Sequence, residues 1–216
     1  MKTALVLGST GLIGSAVVNE LVQEDHVAKV FTLTRRPTAH PNLKVENHII
    51  DFSRLDSYAA LFKVDFVFLC LGTTRKQAGS IAAQRMVDLD YQLQAAQLAE
   101  AQGVTHLLLV SSSGANATSG NPYLKMKGEL EQALEKLSIP RISIFQPSLL
   151  LGTRPETRLG EKLGSWFLPL LCALPGLRRY RPIKGKEVAK KMVQISQQHG
   201  MKGIERYTLD EIFTHH

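Results

Sequence analysis

The sequence predicts an α/β protein built on a doubly wound parallel sheet, with a small loop-rich cap toward its C-terminal end. Three observations predict it. Short apolar runs of strand length alternate with segments of helical spacing. Those runs are apolar at successive positions, as strands covered by helices on both faces must be. The first of them runs into "GSTGLIG", a glycine turn that leads from a strand into a helix.

Taken in order, "TALVLG" at 3 to 8 is the first strand, and 11 to 24 carries a helix. Further strands are predicted at 30 to 34 ("VFTLT"), 48 to 50 ("HII"), 65 to 72 ("DFVFLCLG"), 106 to 112 ("HLLLVSS") and 142 to 146 ("ISIFQ"). Helices are predicted near 54 to 62, 80 to 102 and 122 to 137, the last capped by Asn121 with Pro122 at its first position. In that last helix Glu129 and Glu131 are expected to face water. After about 147 the rhythm breaks. Gly152, Pro155, Gly160, Gly164, Pro169, Pro175, Gly176 and Pro182 punctuate a cap over 152 to 186, and a helix is predicted at 186 to 199. A chain of 216 residues, 44% apolar and 21% charged, suits one domain over residues 1 to 216.

Composition narrows the function classes. No charged-then-apolar leader opens the chain, and the expected location is cytoplasmic. The longest apolar run, "WFLPLLCALPGL" at 166 to 177, is too short for a membrane span and contains two prolines. Cys70 and Cys172 are read as reduced, buried small hydrophobes. The seven histidines show no metal-ligand spacing. A net charge of +7 suits an anionic ligand. No stretch interleaves clustered Lys/Arg with aromatics, which make up only 6%, and no nucleic-acid partner is expected. In the cap, Arg154, Arg158 and Lys162, and the "RRYR" cluster at 178 to 181, are read either as solvated or as contacts to an anionic substrate. Nothing in the chain specifies an oligomeric state.

The glycine turn makes the sheet Rossmann-like. Gly8, Ser9, Thr10, Gly11, Leu12, Ile13 and Gly14 form it, and its glycines allow a tight turn, close backbone approach to a pyrophosphate and close packing of the helix. The second strand then ends in "TLTRRPT", where an NAD site usually offers an acid for the ribose 2′-hydroxyl. Arg35 and Arg36 stand there instead, and guanidinium groups suit a 2′-phosphate. The cofactor predicted is NADP(H). Asp51 and Phe52, after the third strand, are read as an acceptor for the adenine amino group and a ring flanking it; the alternative for Asp51 is a cap for the following helix. Leu71, Gly72 and Thr73 end the fourth strand where the nicotinamide side of the cofactor is expected.

The fifth strand delivers Ser111, Ser112 and Ser113 at its carboxyl end, and Tyr123 and Lys127 follow four residues apart on one helix face. With "GSTGLIG", "CLGTT-R-x-x-AGS", "VSSSGAN", "Y-x-x-x-K-GELE" and "QPSLLLG" in that order, residues 1 to 150 resemble the short-chain dehydrogenase/reductase superfamily of the extended or atypical kind. The likeness is greatest to its Tat-interacting-protein-like branch. The resemblance implies that Tyr123 is the general acid/base and that Lys127 lowers its pKa from about 10 and bonds the ribose hydroxyls. It implies a serine that bonds the substrate carbonyl: Ser112 by superfamily geometry, Ser111 by what the branch retains, with Ser113 a turn residue. Pro147 and Ser148 match the segment covering the nicotinamide, preceded by Gln146 where arginine is usual. An asparagine usual in the long helix after the fourth strand is matched most nearly by Asp90. The function implied is an NADPH-dependent oxidoreductase acting on a small-molecule carbonyl. The alternative is an NADPH-binding regulatory protein with little or no turnover.

Overall fold

The computed structural model describes residues 1–151, 181–198 and 200–213. Seven strands form one parallel sheet in the order β3-β2-β1-β4-β5-β6-β9. They are β1 (Lys2–Leu7), β2 (Val27–Thr34), β3 (Val45–Ile49), β4 (Phe66–Leu69), β5 (His106–Val110), β6 (Arg141–Gln146) and β9 (Gly203–Thr208). The order reverses direction at β1, between β2 and β4, so the carboxyl ends of these strands open a crevice there.

Alternation along each strand explains the two layers of core. Leu5, Leu7, Val67, Leu69, Leu107 and Leu109 point to one face, against the 3₁₀ segment Phe52–Phe62, α4 (Tyr91–Ala101) and α5 (Pro122–Leu134). Ala4, Val6, Phe66, Phe68, Leu108 and Val110 point to the other, against α1 (Leu12–Leu21) and α6 (Gly185–Gln197). Both faces are apolar because both are covered. The predicted parallel doubly wound sheet is the observed one.

Several elements differ from the sequence-based expectation. The expected helix at 80 to 102 is preceded by α2 (Arg75–Ala78) and itself divides into α3 (Ile81–Arg85), a π-turn at Met86–Asp90, and α4. Strand β9 carries no apolar run. Among the described residues it is an edge strand, bonded only to β6, and its charged residues find partners inward: Glu205 pairs with Arg141, and Arg206 reaches Glu131 and Glu135. Two short strands, β7 (Leu150–Leu151) and β8 (Ile183–Lys184), pair in parallel. Of the cap, residues 152 to 180 lie outside the described residues, and with them Arg154, Arg158, Lys162, Cys172 and the apolar run. Arg181, the last of the "RRYR" cluster, sets its guanidinium 3.6 Å from the Phe213 ring centre.

The lower edge of the sheet, away from the crevice, holds one acid-sensitive contact. His106 is buried, with Nε2 2.8 Å from the Ser143 hydroxyl. Burial, with the Arg141 charge nearby, pushes its pKa down to about 3. The unfolded chain therefore binds this proton below its ordinary value of about 6.5, and the folded protein does not until about pH 3. Stability from this group is complete above that ordinary value and is lost progressively as pH falls toward the folded one. The expected slope is up to about 1.4 kcal/mol per pH unit. His106→Gln is expected to melt with a shallower pH dependence than wild type between pH 6.5 and 4; equal slopes would refute the assignment.

Candidate active site

The glycine turn is built as the sequence requires. Gly8 adopts φ +83, and a Cβ placed on it would lie 2.4 Å from the Cys70 carbonyl oxygen, so only glycine fits between β1 and β4. A Cβ on Gly14 would lie 2.2 Å from the Gly8 carbonyl oxygen, so helix and turn touch backbone to backbone. Gly11 is the N-cap of α1, which has no side-chain cap and no acid in its first turn. The first-turn N–H groups are therefore left for another acceptor, and a dinucleotide pyrophosphate fits that cradle.

The C-terminal half of this turn lines one side of a cleft of about 860 Å³. Gly11, Leu12 and Ile13 stand on that side; Leu71, Gly72 and Thr73 follow at the end of β4. Ser111, Ser112 and Ser113, then Tyr123 and Lys127, and finally Pro147 and Ser148 complete the cleft. Residues more than a hundred apart in sequence thus meet, because parallel strands all end on the same side. Asn121 places the helix that carries two of them: its Oδ1 accepts from the backbone N–H of Tyr123 at 2.9 Å and of Leu124 at 3.4 Å. Lys125 is exposed, off the cleft face.

Tyr123 and Lys127 share that face, with the Lys127 Nζ 6.0 Å from the Tyr123 ring centre. Lys127 is 3% exposed and lies 3.3 Å from Asp88 Oδ1. This corrects the expectation for Asp90, whose side chain is 48% exposed and faces Arg85. Two residues apart in a helical segment point to nearly opposite sides, so only one of the two acids can reach the lysine. Cys70, expected to be buried, is only half-buried and lines the cleft; desolvation pushes its thiol up to about 12, with the Lys127 charge acting the other way, which disfavours the thiolate.

Glu131 does not face water. It continues the spacing of Tyr123 and Lys127 by another four residues and is buried, accepting from the Ser111 hydroxyl and, at 2.9 and 3.0 Å, from Gln146 Nε2. Arg206 Nε lies 3.6 Å from it. The two serines are thereby separated. Ser111 is buried with its hydroxyl committed to Glu131, whereas Ser112 is half-buried and, among the described residues, donates only to the Ser113 carbonyl at 3.4 Å. Ser148 donates to the Arg181 carbonyl at 2.6 Å.

The adenine-side expectations fare unevenly. Asp51 takes the capping alternative: its Oδ1 accepts from the Ser53 hydroxyl at 2.7 Å and the Ser53 N–H at 2.9 Å, which holds its carboxyl below the usual range. The Phe52 ring is not on the cleft. It is buried in the core with its centre 5.6 Å from that of Tyr91, because the segment needs an apolar anchor under the sheet. Arg35 and Arg36 are exposed at the end of β2, with no carboxylate in ion-pair range among the described residues. Ser9 and Thr10 border a second hollow of about 340 Å³ with Asn19, His40 and Asn47.

Asp88 and Gln84 are among the cleft residues that sequence reasoning missed. A signal was present: Gln84, Asp88 and Gln92 recur every four residues, and all three are buried. A polar row on the inward face of a helix marks buried hydrogen bonding.

With the site described, comparison with known proteins adds the following. Residues 4–133 match the model of the NAD dependent epimerase/dehydratase family. The chain is similar to Protein HTATIP2 of Rattus norvegicus, 40% identical over 172 residues, 77% of this chain and 70% of that one. It is also similar to Protein FMP52, mitochondrial, of Candida glabrata, 35% identical over 217 residues, 96% of this chain and 91% of that one. Among solved structures, MoeE5 in complex with UDP-glucose and NAD shares the fold, with a TM-score of 0.69 at 16% identity over 97% of this chain and 79% of that one. The enzyme WbmH of Bordetella bronchiseptica in complex with NAD+ does likewise, with a TM-score of 0.71 at 15% identity over 96% and 76%. The cytoplasmic expectation does not stand, since fungal relatives spanning nearly the whole chain are named as mitochondrial. Reduced cysteines do not distinguish the cytosol from another reducing compartment.

Proposed function

Because the chain belongs to the NAD dependent epimerase/dehydratase family, in its Tat-interacting-protein-like branch, we propose that it is an NADPH-dependent reductase of a small-molecule carbonyl compound. The observation that carries the reading is the single cleft shared by the glycine turn, the strand-end serines, Tyr123 and Lys127. The cofactor, when bound, supplies hydride. Gly8 to Gly14 would hold its pyrophosphate and Leu71 to Thr73 its nicotinamide side, with Pro147 and Ser148 covering it. Arg35 and Arg36 would bond the 2′-phosphate. Tyr123 gives its proton to the carbonyl oxygen, and the Lys127 ammonium stabilises the phenolate left behind. Ser112, whose hydroxyl has only a long 3.4 Å hydrogen bond to the Ser113 carbonyl among the described residues, holds the carbonyl oxygen beside Tyr123.

A regulatory, NADPH-sensing protein is the second reading. The observation favouring it is that Asp88 already partly offsets the charge Lys127 would lend to the phenol.

The test is a panel of aldehydes and ketones with NADPH, followed by absorbance loss, beside calorimetry of NADPH and NADH. NADPH is expected to bind more tightly, and Arg35→Ala with Arg36→Ala to erase the difference. Equal affinity in the parent protein removes the arginine assignment. Tight NADPH binding with no consumption across the panel moves the protein to the second reading.

A further inference from the structure

Asp88 is an acid in a place where acids are costly. Its side chain is 1% exposed, and each carboxylate oxygen has one partner. Oδ2 accepts from the Thr73 N–H at 2.9 Å. Among the described residues Oδ1 has no hydrogen-bond donor and instead faces the Lys127 ammonium at 3.3 Å. Lys127, itself 3% exposed, has the Val110 carbonyl oxygen at 3.4 Å as its other polar neighbour among the described residues. Burying an ammonium this deeply is costly unless a counter-ion sits beside it. Among the described residues no other carboxylate lies within ion-pair distance of it.

The surroundings leave the Asp88 side chain little freedom. It sits in the π-turn between α3 and α4, where Gln92 Nε2 donates to its carbonyl at 2.9 Å. Gln84 Nε2 donates to the Thr73 carbonyl at 3.3 Å, holding the turn that Asp88 itself grips. One carboxylate therefore joins the strand-end turn of the cleft to the lysine behind Tyr123. π-turns recur at functional sites because they redirect a side chain that a regular helix would aim elsewhere.

We propose that Asp88 is the positioning residue of this cleft. Its direct ion pair holds the Lys127 ammonium in place between Tyr123 and the Thr73 turn. The inference rests on the reading of Lys127 as a cofactor-binding and proton-transfer residue.

Asp88→Asn isolates the function, since asparagine can still accept from the Thr73 N–H while turning its NH₂ toward the ammonium. The experiment measures the NADPH dissociation constant and the melting temperature of wild type, Asp88→Asn, Lys127→Met and the double variant, at a temperature where each is folded. Asp88→Asn is expected to weaken NADPH about tenfold, but less than about twofold in the Lys127→Met background, as coupled residues do. Each single variant leaves a buried group without its charge partner, so the double is expected to melt above both; a single that fails to fold while the double folds gives the same result. Wild-type affinity in Asp88→Asn, or equal losses in both backgrounds, overturns the proposal. Lys127→Met with unchanged NADPH affinity removes the reading of Lys127 beneath it. An absence of carbonyl reduction by wild type touches only the proposed reaction, since the affinity cycle does not use turnover. With an active substrate, Asp88→Asn is further expected to lower kcat about tenfold or more at unchanged KM, the mark of an interaction used in the transition state.

Discussion

Tyr123→Phe is expected to lower kcat for carbonyl reduction by about 10²–10⁴-fold, the usual worth of a positioned general acid. NADPH affinity should stay within about twofold, because the substitution removes one oxygen and leaves the ring in place. The ring packs on the same face as Lys127, and its hydroxyl makes no hydrogen bond among the described residues. Folding therefore loses little when it goes. The measurement is steady-state kinetics with the best substrate of the panel, beside calorimetry of NADPH. Wild-type kcat in the variant would remove Tyr123 from the mechanism; a parallel fall in affinity would make it a binding residue.

Gly14→Ala carries the second large effect. The added methyl would sit 2.2 Å from the Gly8 carbonyl oxygen and 3.1 Å from the Ser9 N–H nitrogen. Backbone atoms cannot swing aside as a side-chain tip can, so either α1 retreats or the turn opens. Both outcomes disperse the N–H groups around Gly11. NADPH affinity is expected to fall by at least about 10²-fold, the equivalent of losing two or three charge-assisted hydrogen bonds to phosphate. The melting temperature should fall by several degrees, of the order expected for about 1–3 kcal/mol of overpacking. Calorimetry and a thermal melt check it, and undiminished NADPH binding would show that the pyrophosphate does not use this turn.

Much of the fold was legible because its signals are local. Strands buried on both faces must be apolar at successive positions, and β4, the last four residues of β1 and the last four of β5 are. Gly8 and Gly14 occupy positions that no other residue fits, and their spacing is visible in the linear sequence. Strand β9 was illegible for the converse reason. An edge strand needs no apolar run, and its Glu205 and Arg206 are chosen by partners some sixty to seventy residues away.

By itself, the sequence determined the parallel α/β architecture, the glycine turn, the alignment of Tyr123 with Lys127 and membership of an NAD(P)-binding family. These follow from periodicity and from residue types whose backbone or charge requirements are visible in a window of a few residues. Only the tertiary structure decided which acid meets Lys127, which serine keeps its hydroxyl for the cleft, and that Glu131 lies buried beneath it. Each of those outcomes depends on the rotation of one helix against a strand from elsewhere in the chain. A π-turn at Met86–Asp90 and a hydrogen bond from Ser111 settle them, and hydrophobic spacing alone specifies neither.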